Sequence, residues 1–305
     1  MKLVFMGTPE WAIPSLQALL DSEHTVIAVY TQPDRLAGRK KKLLPSAVKV
    51  FAESQGLEVR TPEKASSLEV IELLKNEAPD LIFVCAYGQI LSQKFLDVPR
   101  VGCFNLHFSL LPRWRGASPV QAAIAAGDEV TGVSLQKVVL KLDAGPLVCS
   151  SVPTEILAKD TTQSLGDRLA KTSQELVQQC LPNLLNNSME LTPQDRSQVT
   201  HCRIIKKNAG KVCWNKESAV EIERKCRAFT PWPGIYALDQ KGKRLQFLEV
   251  EAETGELNAG EVDSEFRVGT GSGVLRIHRL KPEGKGAMEA KSFLRGHANF
   301  SLATN

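Results

Sequence analysis

The chain lacks the features that would place it in a membrane, in an oxidising compartment or on a nucleotide phosphate. No apolar run among its 305 residues approaches the ~18 of a membrane span, and Met1 to Gly7 is too short and too soon broken for a signal peptide. A cytoplasmic location with no membrane partner is therefore expected. Cysteine is sparse and unpatterned: Cys85, Cys103, Cys149, Cys180, Cys202, Cys213 and Cys226 are odd in number, form no C-x-x-C pair and fall mostly in apolar runs. Reduced core thiols are expected, and a structural zinc site is not. The first turn, Met6-Gly7-Thr8-Pro9-Glu10-Trp11, has no G-x-G-x-x-G to admit a pyrophosphate. Support for hydride transfer falls with it, and Gly7 reads as a tight turn. Internal repeats and low-complexity segments are also missing.

What is present is an ordinary globular composition, 43% hydrophobic and 24% charged, in a chain long enough for about two domains. β-rich runs at Leu3 to Met6, Thr25 to Tyr30, Leu57 to Arg60, Leu81 to Cys85, Cys103 to His107 and Val133 to Val139 alternate with helical patterns. Those helices are Pro14 to Leu20, Ser46 to Ser54, Ser67 to Asn76 and Pro119 to Ala126. The alternation predicts an α/β fold with a wound sheet, closed by a helix from Thr162 to Leu185. Residues 187–202 are rich in Asn, Ser, Gln, Pro and Thr and read as a linker between a first domain, 1–186, and a second, 203–305. In the second, a helix from Ser218 to Ala228 precedes short runs at Ile235 to Leu238, Arg244 to Val250 and Gly273 to Leu280, which predicts a small β-barrel. The net charge of +4 is concentrated there, with 18 Lys and Arg against 13 Asp and Glu in residues 203–305. That imbalance suggests a partner bearing phosphates.

A polar pair interrupts one of the apolar strands. In Val101-Gly102-Cys103-Phe104-Asn105-Leu106-His107-Phe108 the side chains alternate, so Asn105 and His107 share one face and Phe104, Leu106 and Phe108 the other. Pro112 and Gly116 follow, which puts the pair at the carboxyl end of its strand, where open α/β sheets bind ligands. An amide donor beside a titratable imidazole can hold a developing oxyanion. Asp143, in the turn Lys141-Leu142-Asp143-Ala144-Gly145-Pro146, is the candidate to tune the histidine. Taken singly, each residue is explained by a strand-end hydrogen bond or a turn; the combination favours a site. His24, His201, His278 and His297 have no matched partners and read as structural.

Asn105-x-His107 followed by Ser109-Leu110-Leu111-Pro112-Arg113-Trp114-Arg115-Gly116, with Asp143-x-Gly145, resembles the formyltransferase signature. Thr31 to Arg35, Ala37-Gly38-Arg39, Ala86-Tyr87-Gly88, Arg227-Ala228-Phe229 and Pro231 to Gly234 are similar to the members acting on methionyl-tRNA, and the likeness spans nearly the whole chain. The resemblance implies a Rossmann-like sheet of the formyltransferase fold with an OB-like barrel, in a monomer without a metal. It implies transfer of a formyl group from 10-formyltetrahydrofolate to the α-amino group of methionyl-initiator tRNA, by direct attack through a tetrahedral intermediate, for translation initiation. Asn105 and His107 would stabilise the oxyanion, and Asp143 would set the charge of His107 and help remove the amine proton. The folate would lie along Ser109, Leu110, Leu111 and Pro112, against Cys85, Ala86, Tyr87, Ala144 and Gly145. The basic loop 33–45, with Arg35, Arg39, Lys40, Lys41 and Lys42, would engage the acceptor stem.

Two differences from the family pattern stand out. Phe108 stands where Pro or Ala is common, and Val138 to Lys141 lacks the usual acidic and glycine residues. Phe108 is expected to alter packing and Lys141 to perturb the charge near Asp143, so lowered activity or an altered folate fit is expected. Trp114 is expected to line the pocket and Trp232 to pack against the entry helix. The rival readings are a formyltransferase of the same fold acting on an amino sugar nucleotide or a glycinamide ribonucleotide, and a non-catalytic RNA-binding relative.

Overall fold

The computed structural model describes residues 1–37, 42–186, 188, 190–297 and 300–303. Two compact units form: Met1–Pro119 with Val130–Glu155 and Gly166–Cys202, and Val120–Glu129 with Ile156–Leu165 and Arg203–Asn305.

In chain order the strands of the first unit are β1 (Lys2–Gly7), β2 (Thr25–Tyr30), β3 (Arg35–Ala37), β4 (Lys42–Leu44), β5 (Val59–Arg60), β6 (Leu81–Cys85) and β7 (Gly102–His107). They continue with β8 (Arg115–Gly116), β9 (Val130–Thr131), β10 (Ser134–Lys137), β11 (Leu147–Ser150), β12 (Thr154–Glu155) and β13 (His201–Cys202). The helices up to this point are α1 (Ile13–Leu20), α2 (Ala47–Ser54), α3 (Leu68–Glu77), α4 (Gln93–Leu96), α5 (Pro119–Ala126) and α6 (Thr162–Leu185), the last two crossing between units.

The main sheet runs β11-β10-β7-β6-β1-β2-β5. Strands β7, β6, β1, β2 and β5 are mutually parallel, whereas β10 and β11 close one edge antiparallel. Central parallel strands are covered on both faces, which is why Leu3 to Met6 and Leu81 to Cys85 are apolar without interruption and buried at every position. On one face Val4, Met6, Ala28, Tyr30, Ile82 and Val84 pack with Ile71 and Leu74 of α3. Helices α2 and α3 start where Ser46 and Ser67 accept the backbone N–H of Lys49 and Val70, each cap satisfying one orphan donor.

In the second unit α7 (Ala219–Ala228) opens with a capping box, Ser218 and Glu221 each bonding the other's backbone N–H. Strands β14 (Ile235–Leu238), β15 (Arg244–Glu253), β16 (Arg267–Gly269), β17 (Val274–Pro282) and β18 (Met288–Glu289) pair antiparallel as β14-β15-β17-β16, with β18 on β17. The result is a curled half-barrel sheet. Its core joins Trp214, Phe247, Phe266 and Ile222, and Phe293 of α8 (Ala290–Arg295) stacks on Phe266 at 6.0 Å.

Several expectations need correction. Strand β11 adds an antiparallel edge that periodicity did not reveal. Residues within 187–202 are not a free linker: β13 pairs with β8, and Thr192 exchanges backbone hydrogen bonds with Leu147. The sulfurs of Cys149 and Cys180 meet, in place of the scattered core thiols expected. The apolar runs that carry them bring β11 and α6 side by side, a proximity invisible to spacing in the chain. Trp232 is 56% exposed instead of packed against the entry helix. No helix among the described residues is long and apolar enough to cross a membrane.

Candidate active site

Strand β7 carries Asn105 and His107 between β6, which lies parallel, and β10, which lies antiparallel. Register sets Gln136 opposite Asn105 and Ser134 opposite His107. Four polar side chains therefore share one face of the sheet at its carboxyl edge, while Phe104, Leu106 and Leu135 take the other. Phe108 continues the apolar side, 8% exposed and stacked on Trp11 at 6.3 Å, as the alternation requires.

His107 is buried. Its Nε2 lies 2.9 Å from the carbonyl of Trp114, which can only accept, so the ring proton belongs on that nitrogen. Nδ1 then faces Asp143 Oδ1 at 3.6 Å, close enough for charge interaction and too long for a hydrogen bond. The Asp143 carboxylate is held elsewhere: Oδ2 accepts the Gly116 N–H at 2.9 Å, and Oδ1 accepts Gln136 Nε2 at 2.9 Å. By contrast, the Asn105 amide makes no side-chain hydrogen bond among the described residues, and it is the polar group of the site left available to a ligand.

The backbone around this cluster is unusual. Ala86, Trp114 and Asp143 all have positive φ, 49°, 63° and 49°. Non-glycine residues rarely adopt that region, and such strain collects where surrounding contacts enforce a functional geometry. The glycines are as constrained. A Cβ on Gly145 would lie 1.7 Å from the Lys137 carbonyl oxygen, and one on Gly116, at φ +126°, 2.0 Å from that of Cys202. Only glycine permits either approach.

The expected folate residues converge on the same edge. Cys85 pairs with Leu106, which puts Ala86 beside His107; Ala86 is exposed, whereas Cys85 and Tyr87 are buried. The Tyr87 carbonyl already accepts from Thr8 Oγ1 and Gln32 Nε2. After β7, Ser134 Oγ donates to the Ser109 carbonyl at 2.8 Å and accepts the Leu111 N–H at 3.0 Å, pinning Ser109 to Pro112 against β10. Ser109 Oγ is spent on the Arg113 carbonyl at 2.6 Å. Lys141 is exposed and forms no ion pair with Asp143 among the described residues, so the expected perturbation has no direct contact behind it. Trp114 is half-buried, with Arg113 over its ring at 4.5 Å.

Of the basic loop, Arg35 and Lys42 are exposed on the hairpin β3-β4, and Arg39, Lys40 and Lys41 lie outside the described residues. Many basic groups of the second unit are tied to carboxylates: Arg227 to Glu223, Arg267 to Asp263, Lys225 to Glu217, and Arg276 to Glu253 and Glu265. Such pairs cancel one for one, so the positive surplus of the unit is carried by the basic groups outside them. Among the described residues no three His, Cys, Asp or Glu side chains converge as a metal set.

Sequence reasoning missed Gln136 and Gln194. Gln136 had a signal, since Ser134 and Gln136 alternate with apolar neighbours just as Asn105 and His107 do. Gln194 had none, being one polar residue in a polar stretch.

Residues 1–181 match the formyl transferase family, and 204–298 match the formyl transferase C-terminal domain. The chain is similar to methionyl-tRNA formyltransferase of Methylococcus capsulatus, 44% identical over 98% of this chain and 97% of that one. It is also similar to those of Pseudomonas entomophila, 43% over 93% of each, and Jannaschia sp., 42% over 97% of each. Among solved structures, the sugar 3N-formyl transferase WlaRD, with dTDP and 5-N-formyl-THF, superposes with TM-score 0.68 at 19% identity, over 94% of this chain and 99% of that one. HypX from Aquifex aeolicus in complex with tetrahydrofolic acid superposes with TM-score 0.60 at 17% identity, over 96% of this chain, which spans 47% of HypX. The two likenesses carry the fold, while the full-length identities carry the family: the chain belongs to the methionyl-tRNA formyltransferases, a family of formyl-transferring enzymes.

Proposed function

We propose that this enzyme transfers the formyl group of 10-formyltetrahydrofolate to the α-amino group of methionyl-initiator tRNA, for translation initiation, by direct attack. The observation that carries the reading is the available Asn105 amide beside His107 and Asp143 at the carboxyl edge of the sheet. The amine adds to the formyl carbon, its lone pair forming the new C–N bond as the carbonyl π electrons move to oxygen. Asn105 Nδ2 donates to that oxyanion, an interaction worth roughly 3 to 4 kcal/mol in acyl-transfer enzymes. His107 joins it by turning its Nε2–H from the Trp114 carbonyl to the same oxygen, with Asp143 facing Nδ1. The ammonium proton of the adduct is passed through water to Asp143. Asp143 returns that proton through water to N10 of the folate as collapse of the adduct breaks the bond to it, and tetrahydrofolate departs.

The folate lies along Ser109, Leu110, Leu111 and Pro112, where backbone edges suit a pterin, with Cys85, Ala86, Tyr87, Ala144 and Gly145 opposite. The acceptor stem engages Arg35, Arg39, Lys40, Lys41 and Lys42. The C-terminal half-barrel is OB-like in role, offering basic groups and Trp232 to the tRNA. The protein acts as a cytoplasmic monomer without a metal. A formylation assay with initiator methionyl-tRNA, elongator methionyl-tRNA and an amino sugar nucleotide tests the reading. Turnover should be fastest with the initiator; turnover confined to the sugar would overturn it.

A further inference from the structure

Gln194, in the stretch that composition marks as a linker, reaches into the catalytic cluster from 51 residues along the chain. Its Oε1 accepts both Nε and Nη2 of Arg115, at 3.0 and 2.8 Å. Arg115 has donors only, so the amide orientation is dictated: Nε2 must face the other way. There it lies 3.0 Å from the Asp143 carbonyl, 2.7 Å from the Gly145 carbonyl and 3.3 Å from Gln136 Oε1. That contact orients Gln136 in turn, leaving its Nε2 to donate to Asp143 Oδ1. The hydrogen bonds therefore run in one sense, from a buried guanidinium through two amides to the carboxylate beside His107. At the same time Nε2 bridges the carbonyls on either side of Ala144, holding Asp143 at its positive φ of 49°.

We infer that Gln194 is a positioning residue for Asp143, acting through its N–H donors rather than through substrate. The inference rests on the reading of Asp143 as part of the reaction. Among the described residues only the Gly116 N–H and Gln136 Nε2 donate to its carboxylate, and loss of the bridge loosens the turn that carries it. A shift of about 1 Å in a catalytic group can cost on the order of 100-fold in rate.

Gln194→Glu keeps the size and the acceptor for Arg115 and removes the donors; Gln194→Ala removes both. Both should lower kcat about 10-fold or more, with KM for 10-formyltetrahydrofolate and for tRNA within about twofold of wild type. An Ala variant that does not fold leaves the decision with Glu, which retains the contact to Arg115. Wild-type kcat in Gln194→Glu, or a loss confined to KM, would overturn the inference. Wild type is assayed first on methionyl-tRNA and on an amino sugar nucleotide. The acceptor it uses judges the proposed function, and the variant-to-wild-type ratio on that acceptor judges Gln194.

Discussion

Asn105 and His107 share a strand face but not a state. His107 is engaged by the Trp114 carbonyl and faces Asp143, whereas the Asn105 amide has no partner among the described residues. Asn105→Ala should therefore lower kcat by about 100- to 1,000-fold with little change in KM, since its bond forms only as the oxyanion does. An equal loss in folate binding would mean that it holds the ground state. Asp143→Ala should lose formylation while tRNA binding persists; a binding protein without activity would have none to lose. A third expectation concerns the thiols. Burial pushes Cys85, Cys103 and Cys226 up to about 12 from the ordinary 9.0. Above pH 9 the unfolded chain loses these protons first, so their contribution, complete below that pH, is lost as pH rises toward 12. The urea midpoint should fall over this range, and less steeply in Cys103→Ala; equal slopes would remove the thiol from the account.

At the scale of elements, what was legible depended on whether the signal is local. Strands β2, β6 and β14 and helix α6 have the bounds read from periodicity, because period-two and period-3.6 burial is written along the chain itself. Alternation also placed Phe108 away from His107, where it stacks on Trp11. Strand β11 was not legible because an antiparallel edge strand of four residues next to a Gly/Pro turn has no distinctive pattern. The capping box of α7 is local too: Ser218→Ala should cost about 1 kcal/mol in chemical denaturation, and an unchanged midpoint would mean that Glu221 alone holds the terminus. The hairpin β3-β4 presents Arg35 and Lys42 in the open, and the basic run between them is expected to meet RNA phosphates. Replacing Arg39 and Lys41 together with Ala should weaken tRNA binding, lower the slope of log K against log salt by about 2, and leave folate binding nearly unchanged. An unchanged slope would sink the loop assignment.

At the scale of the whole molecule, the wound sheet and the second β domain follow from burial patterns that repeat along the chain, and the triad candidates from polar residues at strand ends. These are consequences of near neighbours: an apolar run must be covered, and a polar residue within it must have a purpose. Which groups complete the site was decided only by folding. Register set Gln136 opposite Asn105, chain return brought Gln194 to Arg115 and the Asp143 turn, and β11 met α6 at Cys149 and Cys180. Asn105 and His107 are legible in the sequence because they alternate within one apolar strand, and Asp143 because its Gly/Pro turn follows another. Tertiary structure alone decided how the Asp143 turn is held, because hydrogen bonds between residues 51 or 79 apart leave no periodicity to read, and where the proton of His107 points, because only the folded turn after β7 brings the Trp114 carbonyl to its ring.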